Sequence, residues 1–333
     1  MAVREIGLTQ RAMVKSEGHL ARAFSRLVRK KIAVACMITI VIVYSGGIFA
    51  PWLAPYGYSD QDYTVIRQAP SIETGKGLTG LWSESHWAGT DRAGRDLFTR
   101  VLWGIQNTLI ITVAAMVTGG LVIGITLGLI SGYFGRWIDA VIMRTGEMFA
   151  SFPDIFLVII LAATLKPRIV EWVRVLEDNT SLHGLVRSGF VDYFVITLAL
   201  VAFGWLGMAR VVRGQVLFLK ETQYVEAARA IGSSTPRILL HHILPNAISP
   251  IVVLVSMSMG ALVMTEIVLG FLGLGVQPPR PSLGVMLREA GHLSVLREEP
   301  WMLIAPGIAA WLLLVPWNLL GDALNDVLNP RTR

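Results

Sequence analysis

Six stretches of this chain are too long and too apolar to lie in water, and they fix what it can fold into. Residues 32–50 run for 19 positions without a charged side chain. At 1.5 Å per residue such a run makes a helix of about 29 Å, roughly the depth of a bilayer's hydrocarbon core. Inside lipid every backbone N–H and C=O needs a partner within the protein, which a helix supplies and an open strand does not. Runs at 105–130, 155–165 (with a polar lead-in), 193–208, 247–274 and 301–320 read the same way, the third and fourth with short apolar centres. The expected fold class is all-α, a polytopic membrane protein with six transmembrane helices. Composition agrees: 53% of residues are hydrophobic, 16% are charged, and the mean hydropathy is +0.59. Those values exclude a water-soluble enzyme, a disordered chain and a fibrous protein. The 333 residues, which in water would make two or three domains, here make one membrane domain.

A cleaved leader is the competing reading of 32–50. The basic segment ahead of it is long, bulky Ile48 stands three residues before a cut after Ala50, and Pro51 would follow that cut. The run therefore reads as an uncleaved span. The single cysteine, Cys36, excludes an intrachain disulfide and a cysteine-based metal cluster.

The net charge of +6 is placed by topology rather than by nucleic acid. Residues 1–31 hold eight Lys/Arg and two acids, and basic segments are retained on the cytoplasmic side. With the N-terminus inside, the inner segments carry 17 Lys/Arg against eight acids, while the outer segments carry 12 of each. Both termini are then cytoplasmic. The expected organisation is a basic cytoplasmic tail (1–31), a first transmembrane helix (32–50), an external loop (51–104), a core of five helices (105–321) containing a cytoplasmic loop at 218–245, and a cytoplasmic tail (322–333). Trp52, Tyr56, Trp137, Trp301 and Trp317 stand at or near the expected span ends, where aromatic rings prefer the headgroup layer. Gly120, Gly124, Gly128 and Gly132 recur every four residues, a smooth strip for close helix–helix approach.

Motifs for chemistry are absent. The sequence has no GxxxxGK[ST] phosphate loop, no HExxH, no GxSxG and no potassium-type filter. Two acids lie well inside the spans. Glu266 has to face the bundle, a partner or water, as a pathway or gate residue or as a buried structural group. Asp154, after Pro153, reads as a helix-terminus residue.

The segment QYVEAARAIGSSTPRILLHHILPNAISP, between the fourth and fifth spans, reads as two short helices. The first covers roughly 221–231 and stops at Gly232, which tolerates the left-handed conformation. Ser234 or Thr235 caps the second, with Pro236 in its first turn, and Pro245 is expected to kink the chain back into the membrane. Ala227, Ala228 and Ala230 keep the first helix slim enough for a groove on another protein, with Tyr224 and the anchoring charge of Glu226 beside them.

At these residues the chain resembles the membrane subunit of an ATP-binding-cassette (ABC) importer. Glu226, Ala227, Ala228, Gly232, Leu244 and Pro245 match that family's EAA–three residues–G–nine residues–I–x–L–P signature, with His242 in place of the isoleucine. His86–Arg100, HWAGTDRAGRDLFTR, resembles the HxxGTDxxGRD stretch of dipeptide, oligopeptide and nickel permeases, through His86, Gly89, Thr90, Asp91, Gly94, Arg95 and Asp96. Thr265–Leu287 resembles the FLGLGVQPP-P-WG stretch of the C-type subunit, with Leu283 where Trp is common. The match covers about residue 25 to the C-terminus; residues 166–190 are longer and more polar than the resemblance implies.

The resemblance implies a type I ABC importer permease that forms half of a path for di- or oligopeptides. Its implied partners are a second permease subunit, two ABC ATPase subunits, an external substrate-binding protein and the lipid bilayer. It implies a bacterial or archaeal plasma membrane, no catalytic residue and no cofactor on this chain, with ATP-Mg held by the ATPases. Nickel or another small solute is the alternative cargo. A proton-coupled secondary transporter using Glu266 is the alternative class, although inverted halves with broken helices are not found. The residues themselves leave His86, Asp91 and Asp96 open as a weak metal set or, more simply, as a loop held by hydrogen bonds.

Overall fold

The computed structural model describes residues 25–71, 86–180, 184–186 and 188–328. Most of the basic tail and the last five residues therefore lie outside the described residues. Helix α1 spans Lys31–Ile48, α2 Leu97–Phe134, α3 Arg136–Ala150, α4 Asp154–Asn179, α5 Phe190–Leu219, α6 Gln223–Ala230, α7 Thr235–Phe271, α8 Leu283–Ala290, α9 Leu293–Glu298 and α10 Trp301–Leu328. Five of them (α1, α2, α5, α7 and α10) are long and apolar enough to cross a membrane. Helices α3 and α4, bent 88° to each other, pass the same test only as a pair, and counting that bent pair as one span makes six.

The spans are longer than their apolar runs. Helix α2 begins at Leu97 rather than 105, because the Asp96 carboxylate accepts a 2.7 Å hydrogen bond from Thr99 N and caps the first turn. Helix α4 does not end near 165. It continues through Pro167 to Asn179, about 20 Å beyond Lys166. The polar 166–190 segment is thus helical for most of its length, with Ile169, Val170 and Val173 packed on the bundle and Trp172 exposed.

The spans alternate in direction. Cap-side contacts join Gln106 to Ile48 O, Lys166 to Asp192 and Trp301 to Thr90 O. At the other end, Lys30 pairs with Asp326 at 3.0 Å and binds the start of α1 to the end of α10. Both described chain ends therefore lie at the same end of the bundle. Trp317 falls inside α10 rather than at its end, and its indole N–H donates to Tyr44 Oη on α1 at 2.9 Å. Trp52 and Trp137 are exposed at helix ends, as expected.

The glycine strip is real but shifted. A Cβ on Gly124, Gly128 or Gly132 would meet Met208, Ala209 O with Val212, or Val216 of α5 at 2.6–2.7 Å, so these three hold α2 against α5. One turn earlier the contact passes to Gly119, facing Val201, and not to Gly120. Residues Met116–Gly124 are π-helical, and the i→i+5 spacing moves the contacting position back by one. Gly120 is released from the seam.

Candidate functional site

Three features converge on function: a projecting loop, a cavity at mid-bundle and a cap at the opposite end. The loop begins where α5 ends. Helix α6 buries Val225 and Ala228 in a cluster with Val216, Leu219, Ile238 and Ile243, and leaves Tyr224, Glu226 and Ala227 exposed. Gly232, at φ +78°, turns the chain, and its neighbour Ser233 donates to Ala228 O at 3.0 Å, which closes the helix end. Ser234 stands at the cap position of α7 without a side-chain hydrogen bond. The second short helix is not separate. The chain stays helical from Thr235 to Phe271, with Ile238–Ile243 π-helical, so Pro245 does not break it. Its missing N–H falls where a widened turn already lacks regular i→i−4 bonding. Leu244 is partly buried and Pro245 exposed.

This projection is firmly braced. Arg229 lies 5.2 Å over the Tyr133 ring at the end of α2, and Lys220 Nζ reaches Gly132 O at 3.3 Å. Next to them Arg213 of α5 holds Asp139 of α3 through two hydrogen bonds of 2.5 and 2.6 Å, while Ser131 Oγ donates to the same carboxylate. These contacts tie α6 and the chain just before it to the ends of α2, α3 and α5. No short motif marks Asp139 or Arg213; they stand 74 residues apart and only the tertiary fold pairs them.

At mid-bundle a cavity of about 340 Å³ is bounded by α2, α3, α4, α5 and α7. Its wall is mainly apolar or glycine, including Phe149, Phe203, Leu262 and the displaced Gly120, with Ser258 and Thr265 as hydroxyl groups. Asp154 and Arg210 line it from the first turn of α4 and from α5. Asp154 had only a helix-terminus role in the sequence reading, and Arg210 had none. Glu266, next to Thr265, turns away from the cavity. It is buried against α2, where Thr108 Oγ1 donates to Oε2 at 2.8 Å, and its Oε1 has no hydrogen-bond partner.

The cap gathers the HWAGTDRAGRD residues into one network. Asp91 accepts Ala93 N, Arg95 N and Arg95 Nε at 2.7–3.0 Å, with Arg100 Nε at 3.6 Å. Asp96 caps α2 and meets His86 Nδ1 at 3.0 Å. Thr90 Oγ1 donates to Val65 O. Gly89 at φ +79° passes its carbonyl to Leu97 N, and Gly94 at φ +70° leaves so little room that a Cβ would sit 2.0 Å from Asp62 O. Glu299 adds ion pairs to Arg67 and Arg92. Among the described residues no group of three or more His, Cys, Asp and Glu is placed to hold a metal. Sequence reading missed a second network beside the cap. Lys166 pairs with Asp192 at 2.7 Å, Asp192 accepts Gln277 N, and Asn107 donates to Pro281 O at 2.6 Å.

Comparison with known proteins identifies the family. Residues 124–333 match the model of the binding-protein-dependent transport system inner membrane component family, and residues 19–70 match the N-terminal TM domain of oligopeptide transport permease C. The dipeptide transport system permease protein DppC of Alkalihalophilus pseudofirmus is 36% identical over 93% of this chain and 90% of its own length. The glutathione transport system permease protein GsiD of Pectobacterium atrosepticum is 34% identical over 92% of this chain and 90% of its own. The oligopeptide transport system permease protein OppC of Haemophilus influenzae is 34% identical, with 92% and 87% covered.

Proposed function

Because the chain belongs to the binding-protein-dependent transport system inner membrane component family, we propose that it serves as the permease subunit of an ABC peptide importer. The protein is a multi-pass membrane transport subunit. Its relatives carry dipeptide, oligopeptide and glutathione in their names, so peptide is the cargo class those names share. The observation that supports the transmission of work is the braced projection, with Tyr224, Glu226 and Ala227 outward on a base tied to α2, α3 and α5.

In this reading a cytoplasmic ATPase subunit receives α6, and closure of the ATPase pair around ATP-Mg displaces it. The rigid base then rocks α2 against α5 and alters the cavity between them. A second permease subunit supplies the other half of the path, and an external binding protein delivers the peptide at the cap. Both termini are cytoplasmic. This chain contributes no catalytic residue and binds no cofactor, since hydrolysis belongs to the ATPases. Tyr224, Glu226, Ala227, Ala228, Gly232, Leu244 and Pro245 are the coupling residues. Glu266, one residue from the cavity wall, acts as a gate through its hydrogen bond to Thr108.

Uptake into proteoliposomes tests the class. Peptide accumulation should need ATP, both ATPase subunits and the binding protein. Accumulation driven by a proton gradient alone would sink the importer reading. Glu266→Gln should change the transport rate by about threefold or more if the carboxylate gates the path; an unchanged rate assigns Glu266 to structure alone.

A further inference from the structure

Helix α3 forms one wall of the cavity with Gly146, Phe149 and Ala150, yet the bundle holds it lightly. Of its 15 residues only Met143 and Gly146 are buried, while Trp137, Val141 and Met148 stand exposed on the opposite face. Asp139 shares the inward face with the two buried residues, at i, i+4 and i+7. It meets Arg213, and Gly146 meets Leu206, both on α5. Among the described residues the hydrogen bonds between α3 and α5 are those of Asp139 with Arg213, at 2.5 and 2.6 Å. Both ends of α3 are joints. At its start Gly135 and Arg136 have φ +60° and +48°, and the left-handed conformation of Arg136 is costly for a residue with a side chain. At its end Ser151–Pro153 is not helical, and α4 leaves at 88°. A helix between two such bends, seated along one stripe, can pivot without unfolding, because the few residues at its ends absorb the change.

We propose that α3 is a hinged wall of the cavity and that Asp139 and Arg213 are the positioning residues that drive it from α5. The inference rests on the importer reading, in which α5 moves against α2, and adds the link that turns this motion into a change of cavity shape. Helix α3 hangs from α2 through the Gly135–Arg136 turn, so without a tie to α5 that motion would leave it behind. The guanidinium fork fixes the carboxylate in direction as well as distance, and the link therefore carries rotation as well as translation. Ser131 Oγ, in the last turn of α2, donates to the same carboxylate and keeps it beside the pivot. Asp139 and Phe149 stand three and 13 residues past Arg136, about 4.5 and 20 Å along the helix axis. A shift of the link is thus magnified about fourfold at Phe149 by this lever. There the Phe149 ring meets Phe203 of α5 edge-on across the cavity, with centroids 5.4 Å apart, a contact weak enough to part and re-form. The ion pair itself is partly exposed, so water can replace either partner as the angle between the helices changes.

The test uses the complete transporter in nanodiscs, with spin labels at Val141→Cys on α3 and Trp172→Cys on α4, both exposed, in a complex otherwise free of cysteine. Pulsed electron–electron resonance gives the distance between the labels without nucleotide and after vanadate trapping of ATP. In the labelled parent the distance should change by about 5 Å or more, on the order of one helical turn. Asp139→Asn and Arg213→Gln break the link from its two sides, and each should abolish that change. In both, the ATP hydrolysed per Ala-Phe dipeptide taken up should rise about fivefold or more. A brace that only stabilises the fold would leave the distance change in place. An unchanged distance in the parent, or the full change retained in either neutral variant, would overturn the proposal. Gel filtration accompanies each variant. Where one fails to assemble the other decides, and dissociation of both would assign the pair to structure and overturn the proposal too. ATP-driven Ala-Phe uptake by the labelled parent with its binding protein separates the two levels. Uptake without a distance change refutes only the hinged wall, whereas no peptide uptake removes the importer reading as well.

Discussion

The cap at 86–100 and the projection at 223–245 are motif-bearing segments at opposite ends of the 38-residue helix α2. Their polar groups point in opposite directions. In the cap, Asp91, Arg95, Asp96, His86 and Thr90 are bonded to one another or to nearby backbone, and most are buried. In the projection, Tyr224, Glu226 and Ala227 face solvent, and the contacts of α6 with the bundle are made by Val225 and Ala228. A motif whose members satisfy one another is scaffolding. One whose members are left facing outward on a rigid base is arranged for something else to satisfy.

Substitution at Asp91 should break the first half of that contrast and carry the largest stability cost. In Asp91→Asn the amide oxygen can still accept Ala93 N and Arg95 N, but fully buried Arg100 loses its nearest carboxylate, and Arg95 keeps only Glu289 at 3.9 Å. An uncompensated buried charge costs about 3–5 kcal/mol. Thermal unfolding of the purified protein in detergent should show it. A loss under about 1 kcal/mol would mean that the cap does not support itself, and the contrast with the projection would fail.

The helix α2 that joins the two ends also shows what the sequence could and could not reveal. Existence, order and class of the spans were legible, because a 19-residue uncharged run such as 32–50 has few other fates in lipid. Helix ends were less so. Asp96 extends α2 over polar residues through a cap, and α4 runs past Pro167 because its apolar side packs on α5. The motif of the projection was legible as a local string. The charges that brace it were not: Asp139 meets Arg213 only after three helices assemble, and no spacing encodes that meeting. Arg210 was unmarked for the same reason, since the cavity that it lines is built from five helices.

The glycine seam sharpens the comparison at intermediate cost, because it packs α2, the helix between the two ends, against α5. Gly128→Ala places a methyl group 2.7 Å from Ala209 O and from Val212 Cβ, so either α2 or α5 has to move. Overpacking of this kind costs about 1–3 kcal/mol. Gly120→Ala meets only Met116 Sδ at 2.8 Å, the flexible part of a side chain that can swing aside, and should cost under about 0.5 kcal/mol. Unfolding midpoints of the two variants test the π-helical shift directly. Equal losses would return Gly120 to the seam and restore the unbroken four-residue strip.

Glu226→Lys should have the smallest effect on stability and the clearest effect on work. Its carboxylate is exposed and makes no ion pair among the described residues, so reversing its charge should change the unfolding free energy by no more than about 0.5 kcal/mol. The small expected shift is itself informative. Within its own turn Glu226 lies near the N-terminus of α6, where a lysine is mildly unfavourable, on the order of 0.3–1 kcal/mol before solvent screening. A stability loss as large as that at Asp91 would show that Glu226 has an internal partner and that the two motifs are alike. If the projection is instead built for another protein, the charge reversal should leave membrane insertion and folding intact. ATPase association measured by gel filtration should then fall about tenfold or more, with ATP-driven uptake falling alongside it. Uptake at the wild-type rate in this variant would deny the projection its role, and the contrast between the two ends of α2 would have to be explained without a docking partner.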